Sequence, residues 1–195
     1  ADSLDGRVAR LTKTQTAFGA EYDSLSDMVT FGVAPALFAY SWGLHLLGKL
    51  GWLAAFFYAA ATALRLARFN TQTSQGTQSK RYFQGLPCPS AAGLLTAMLW
   101  VMDLYHVQGR LFAILVAIVA VLVAVLMMTN IQYRSFKDSD FKNKVPFLSV
   151  LLMLIIFVAI AMDPPEVLFF LFVVFVMSGP VAALFSLKKS KKSKE

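Results

Sequence analysis

The chain has 195 residues, of which 57% are hydrophobic and 15% charged, and its mean hydropathy is +0.62. A water-soluble domain needs a polar exterior and a disordered chain needs low hydrophobicity, so this composition excludes both and marks a membrane protein. The formal charge is +7 and the pI about 9.6, but Lys and Arg are parcelled out between apolar stretches rather than gathered on one surface, which excludes a nucleic-acid binder.

The first ten residues hold Asp2 and Asp5, three apart. A polar, Thr-rich connector over 11–18 follows, and Gly19 begins a helix that holds Asp23 and Asp27, four apart. On helices these spacings put each pair on one face. Carboxylates beside a bilayer are costly and mark functional sites by default. A lone aspartate there reads as a helix cap; four in this register supply the oxygen donors that hard divalent cations such as Mg²⁺ prefer.

Uncharged apolar stretches then recur at 28–48, 50–64, 83–102, 111–133, 145–162 and 167–187. A spanning helix needs roughly 20 such residues. The second stretch is short, but Leu66, Ala67 and Phe69 extend it past Arg65 and Arg68, whose long stems snorkel. The expectation is an all-α, polytopic helix bundle with six transmembrane helices. Pro35 is expected to kink the first, and Ala34, Ala36, Ala39 and Gly43 to allow close helix packing. Residues 71–79 read as a polar loop. The segment KRYFQGLPCP at 80–89, aromatic, basic and punctuated by Gly and Pro, is expected to be ordered against something. The last four helices are nearly featureless and read as scaffold, dimer surface or lipid contact.

Basic residues alternate between connections. Sixteen lie at one set of helix ends, from Arg7 to the tail that ends at Lys194, and two, Lys49 and Arg110, at the other. The positive-inside rule makes the rich side cytoplasmic, so the acidic motif and the tail at 188–195 face the cytoplasm. The tail also suits attraction to anionic lipid. His45, His106, Asp163 and Glu166 fall near the opposite ends and read as interfacial; Trp42, Trp52, Trp100 and Tyr105 suit the aromatic belts. Cys88, the single cysteine, excludes an intramolecular disulfide and has no basic neighbour in sequence that marks a nucleophile.

The opening segment is DSLDGRVAR, eight residues, then GAEYDSLSD. It is identified as a member of the CDP-alcohol phosphotransferase family, whose pattern is D-x-x-D-G-x-x-A-R, eight residues, G-x-x-x-D-x-x-x-D. All eight specified positions match: Asp2, Asp5, Gly6, Ala9, Arg10, Gly19, Asp23 and Asp27. The resemblance implies transfer of a phosphatidyl or similar group from a CDP-linked donor to an alcohol, with release of CMP. It implies two divalent ions, Mg²⁺ or Mn²⁺, held by Asp2, Asp5, Asp23 and Asp27, and a CDP pocket lined by Gly6, Ala9, Arg10 and Gly19. Asp27 is implied as the general base. Two metals bridging the pyrophosphate would stabilise attacking and leaving oxygens together, and Arg10 would clamp a phosphate bidentately.

Further runs resemble the bacterial integral-membrane phosphatidylserine synthases of that family: LRLARFN at 64–70, KRYFQGLPCPSAAG at 80–93 and DSLSDMVTFGVAPA at 23–36. Cys88 departs from the Ser expected there. The implied donor is CDP-diacylglycerol and the implied acceptor L-serine, in a bacterial cytoplasmic membrane and as a homodimer. Residues 1–187 then form a single membrane-embedded domain and 188–195 a basic tail. Eight helices are expected in the whole protein, with the first acidic pair ending the second, so the chain reads as lacking its N-terminal helices. Serine's carboxylate needs a basic partner, for which Arg65, Arg68, Lys80, Arg81 and Tyr82 are the candidates; Asn70 and Gln84 are candidates for its amine or hydroxyl. Glycerol 3-phosphate, inositol phosphate and choline are alternative acceptors. A transporter or a membrane scaffold are the readings of another class.

Overall fold

The computed structural model describes residues 17–74, 82–134 and 147–192. Helix α1 (Ala17–Asp27) runs through a π-helical turn (Met28–Val33) into α2 (Ala34–Trp42), forming one rod. A 3₁₀ turn (Leu44–Leu47) leads to α3 (Lys49–Ser74); strand β1 (Tyr82–Gln84) precedes α4 (Cys88–Leu104) and α5 (Arg110–Met128). Strand β2 (Gln132–Arg134), α6 (Phe147–Met162) and α7 (Pro164–Lys192) follow. The fold is an all-α membrane helix bundle with one short ribbon. Among the described residues, three segments are long and apolar enough by themselves to cross a membrane: Lys49–Gln72, Arg110–Met128 and Pro164–Ala183. The other expected spans are apolar but shorter (α4 and α6), or interrupted by the π turn.

Packing follows from small residues. Ala39, Ala61, Ala91, Ala113, Ala120 and Ala124 are buried where helices meet, and α3 packs most extensively on α5, and α4 on α7. Without a hydrophobic drive inside lipid, close backbone approach supplies the attraction. Ala36, Ala39 and Gly43 are buried as expected, while Ala34 faces outward. The exterior is apolar: Leu111 is 80% exposed, Met153 73% and Phe157 70%. Lipid is the solvent that such a surface needs. Helix α6 packs chiefly on α7.

Two of the described prolines, Pro35 and Pro180, lie within continuous helical rods, and each creates the same defect. Proline has no N–H, so the carbonyl four residues earlier loses its partner. For Pro35 that carbonyl is Phe31's; for Pro180, inside α7, it is Val176's. Both are claimed by buried tyrosines from elsewhere in the chain. The Tyr58 hydroxyl of α3 donates to Phe31 O at 3.0 Å, and the Tyr133 hydroxyl of β2 donates to Val176 O at 3.1 Å. Just before Pro35 the helix passes through the π turn, where the Ala34 N–H reaches back five residues to Val29 O. Tyr58→Phe and Tyr133→Phe should leave a partly buried and a buried carbonyl unsatisfied, respectively, and each cost about 1–3 kcal/mol of stability. Thermal melting in detergent checks this, and unchanged melting of both variants would refute the repair.

Of the segment at 80–89, residues 82–89 fall in the described structure, and they are ordered, as expected, by a partner far along the chain. Strand β1 pairs antiparallel with β2, Tyr82 opposite Arg134 and Gln84 opposite Gln132. Gly85 ends the strand at φ +76°, a conformation that favours glycine, and an added Cβ would meet Met127 O at 2.3 Å. Helix α3 runs past residue 70 to Ser74, so it absorbs the start of the expected loop. Its polar residues there are held: Arg68, Asn70 and Gln72 all bond to neighbouring segments. At the opposite end the Tyr105 hydroxyl donates to Glu166 Oε1, tying the end of α4 to the start of α7; that bond raises the Tyr105 pKa.

Candidate active site

The acidic helix α1, the end of α3, the ribbon and the start of α4 gather at one end of the bundle. Asp23 and Asp27 lie one turn apart on α1, Asp23 exposed and Asp27 half-buried, and Gly19 lies one turn earlier. Asp27 is the last residue before the π turn. Such turns are frequent at functional sites because they re-aim the residues beside them. Besides the Tyr58–Phe31 bond, two contacts fix α1 and its π turn against α3. Asn70 Nδ2 donates to Ser24 Oγ at 2.8 Å. Farther in, Gly32 meets Thr62: an added Cβ would lie 3.1 Å from Thr62 Cβ and 3.0 Å from Met28 Sδ.

Arg65 and Arg68, three apart on α3, have different surroundings. Arg68 Nη2 donates to Gln84 Oε1 at 3.0 Å and to Asn130 Oδ1, and its Nη1 reaches Met128 O at 3.4 Å. Gln84 Oε1 also accepts from Gln72. Arg68 therefore clamps α3 to the ribbon and to the end of α5. Arg65 Nη1 donates to Cys88 Sγ at 3.2 Å, and its Nε is buried without a hydrogen-bond partner among the described residues. Cys88, 1% exposed, opens α4 between Pro87 and Pro89. Asp27 and Arg65 both lie close enough to act electrostatically on its thiol. Cys88 has no basic neighbour in sequence that marks a nucleophile, but the fold gives it one in space. Its neighbour is 23 residues away in the chain and on another helix.

Of the site residues read from sequence, Gly19, Asp23, Asp27, Arg65 and Arg68 fall in the described structure. Asp27 and Arg65 share one neighbourhood, whereas Arg68 is engaged by the ribbon. Asp2, Asp5, Gly6, Ala9, Arg10, Lys80 and Arg81 lie outside the described residues. Tyr82 opens β1; its side chain is outside the described set too. Asn70 and Gln84, expected to touch an acceptor, are hydrogen-bonded to Ser24 and to Arg68 with Gln72 respectively. Among the described residues no three His, Cys, Asp or Glu converge as a metal site. Asp23 and Asp27 supply two hard oxygen donors on one face, which suits part of a ligand set for a divalent cation. Sequence reasoning missed the Cys88–Arg65 contact and the Tyr58 donor. Pro35 in an apolar helix signalled that some outside donor was needed, but not which one.

The sequence matches a defined class. The chain belongs to the CDP-alcohol phosphatidyltransferase family, which its residues 1–129 match. Among named relatives, it is similar to the CDP-diacylglycerol–serine O-phosphatidyltransferase of Helicobacter pylori, 39% identical over 158 residues, or 80% of this chain and 65% of the relative. The enzyme of that name from Methanocaldococcus jannaschii is 38% identical over 140 residues, covering 72% and 61%. The one from Mycobacterium tuberculosis is 44% identical over 103 residues, covering 50% and 35%. The chain thus spans less than two thirds of the length of these relatives.

Proposed function

We propose that this protein transfers the phosphatidyl group of CDP-diacylglycerol to the hydroxyl of L-serine, giving phosphatidylserine and CMP. The observation that carries the reading is the acidic face of α1, with Asp27 within electrostatic reach of the Cys88 thiol that Arg65 bonds, inside a chain whose matched relatives bear the name of that reaction. The serine oxygen ends bonded to the phosphorus, and the bond from that phosphorus to the CMP oxygen breaks. The hydroxyl proton passes to Asp27, the general base. Arg65 faces the serine carboxylate. Gly6, Ala9, Arg10 and Gly19 form the CDP pocket, small side chains allowing close approach and Arg10 binding phosphate. The family generally uses divalent metal ions. Asp2, Asp5, Asp23 and Asp27 would hold two of them, Mg²⁺ or Mn²⁺, whose charge would stabilise the pyrophosphate as it comes apart.

The acidic end lies on the cytoplasmic side of a bacterial membrane by its flanking bases, and the diacylglycerol tails enter between helices. A homodimer is the assembly we expect. A transporter with an intramembrane ion site would hold its carboxylates near mid-bilayer on broken helices. Here they precede the apolar stretch, which favours the transferase. The test is a labelled-acceptor assay on the full-length protein in detergent with CDP-diacylglycerol and Mn²⁺ or Mg²⁺. Metal-dependent label in lipid from serine, and not from glycerol 3-phosphate, inositol phosphate or choline, is the expected result. Label from another acceptor alone would overturn serine. No transfer and no CMP release would overturn the enzyme and favour the transporter or scaffold.

A further inference from the structure

Arg65 is unusual among the basic residues of the bundle. Its guanidinium carries five N–H donors in a planar fork and accepts nothing. The partner given to its Nη1 corner is a thiol sulfur, a weak acceptor, at 3.2 Å. Its Nε is buried and has no hydrogen-bond partner among the described residues. A buried donor left unmade is costly, and more so on a charged group. Arg68, one turn further on, makes the contrast: its fork is taken up by Gln84, Asn130 and the Met128 carbonyl. The two arginines are equivalent in sequence and different in use.

The position of the thiol decides which part of the fork is left. With Nη1 held against α4, the edge that carries Nε is the one not turned to the sulfur. That edge presents two parallel N–H groups, the geometry that takes a carboxylate bidentately. Asp27 lies in the same neighbourhood, close enough to act on the Cys88 thiol. Cys88 is itself held firmly, as the first residue of α4, buried, in a turn where the Ser90 and Ala91 N–H groups bond to Pro87 O. It therefore offers a rigid post rather than a mobile side chain.

We propose that Cys88 is a positioning residue: its thiol holds the Nη1 corner of Arg65 so that the Nε edge receives the acceptor's carboxylate. The inference rests on the proposed reaction and deepens it by assigning the selectivity for an amino-acid acceptor to a cysteine–arginine pair. Cys88 does not touch the reacting atoms and acts only through Arg65.

The test is steady-state kinetics on the full-length wild type, Cys88→Ala, Cys88→Ser and Arg65→Lys, each in the same detergent. Cys88→Ala should raise the KM for serine about 10-fold, the order expected for loss of a hydrogen bond to a charged group, with kcat and the KM for CDP-diacylglycerol within about twofold. Cys88→Ser keeps an acceptor at that place and should stay near wild type. Arg65→Lys keeps the charge, loses the fork and should raise the serine KM at least as much as Cys88→Ala. A purely structural cysteine would lower the melting temperature and move both KM values together. Wild-type transfer to serine with an unchanged serine KM in Cys88→Ala, or equal losses in Cys88→Ser and Cys88→Ala, overturns the role of Cys88 and leaves the reaction standing. Wild-type transfer only to an acceptor without a carboxylate, or none at all, overturns the reaction and the carboxylate role of Arg65 with it.

Discussion

Replacing Asp27 with Asn in the full-length protein should lower the rate of transfer to serine by about 10²–10⁴-fold, the usual contribution of a positioned general base. Donor binding should largely survive. Asn is close to isosteric with Asp, so α1 and its π turn keep their places, but an amide takes no proton from the serine hydroxyl. Asp27 is half-buried, adjoins the π turn, and lies in the neighbourhood of Arg65 and Cys88. The exposed Asp23 lies one turn nearer the start of α1 and is assigned to ion binding alone. Turnover and CDP-diacylglycerol binding measured on the same preparation decide the matter. A loss of donor binding as large as the loss of rate would refute the base role and make Asp27 a ligand only.

Removing divalent ions should stop transfer altogether, and adding back Mg²⁺ or Mn²⁺ should restore it. The reason lies in the charges. In the proposed reaction a pyrophosphate donor and a developing phosphate leaving group would approach four aspartates, and anions meet anions unless cations stand between them. Asp23→Asn removes one ligand charge and should raise the half-saturating ion concentration at least about 10-fold, in line with the cost of disturbing a metal's surroundings. An ion titration of the wild type and Asp23→Asn after exhaustive chelation measures both effects. Full activity in excess chelator would sink the metal reading, and an unchanged titration in Asp23→Asn would remove that residue from the ligand set.

Signals that run along the chain were legible without a structure. Hydropathy reads helix length directly, because each residue of a span meets lipid or another helix and must be apolar. The six apolar stretches correspond to the rod at 17–42 and to α3–α7, although among the described residues three segments satisfy length and composition unaided. Family membership was legible from eight residues in register over 26 positions, and the match over residues 1–129 bears it out. The spacing of Asp23 and Asp27 placed them on one face because helix geometry is local.

What only the tertiary structure decided are the partners between helices. Arg65 and Arg68 look alike in sequence, three apart on one helix. Their separate uses follow from what lies opposite each, Cys88 in one case and Gln84 with Asn130 in the other, 16 to 62 residues away. The carbonyls orphaned by Pro35 and Pro180 were foreseeable as defects, but their repair by Tyr58 and Tyr133 was not. A hydroxyl reaches across a bundle only at one depth and one rotation of its element. The pairing of β1 with β2 likewise joins segments that contain no strand pattern of their own. Composition and periodicity set which segments enter the membrane; depth, rotation and close approach of packed helices set which side chains meet, and those are properties of the assembled bundle.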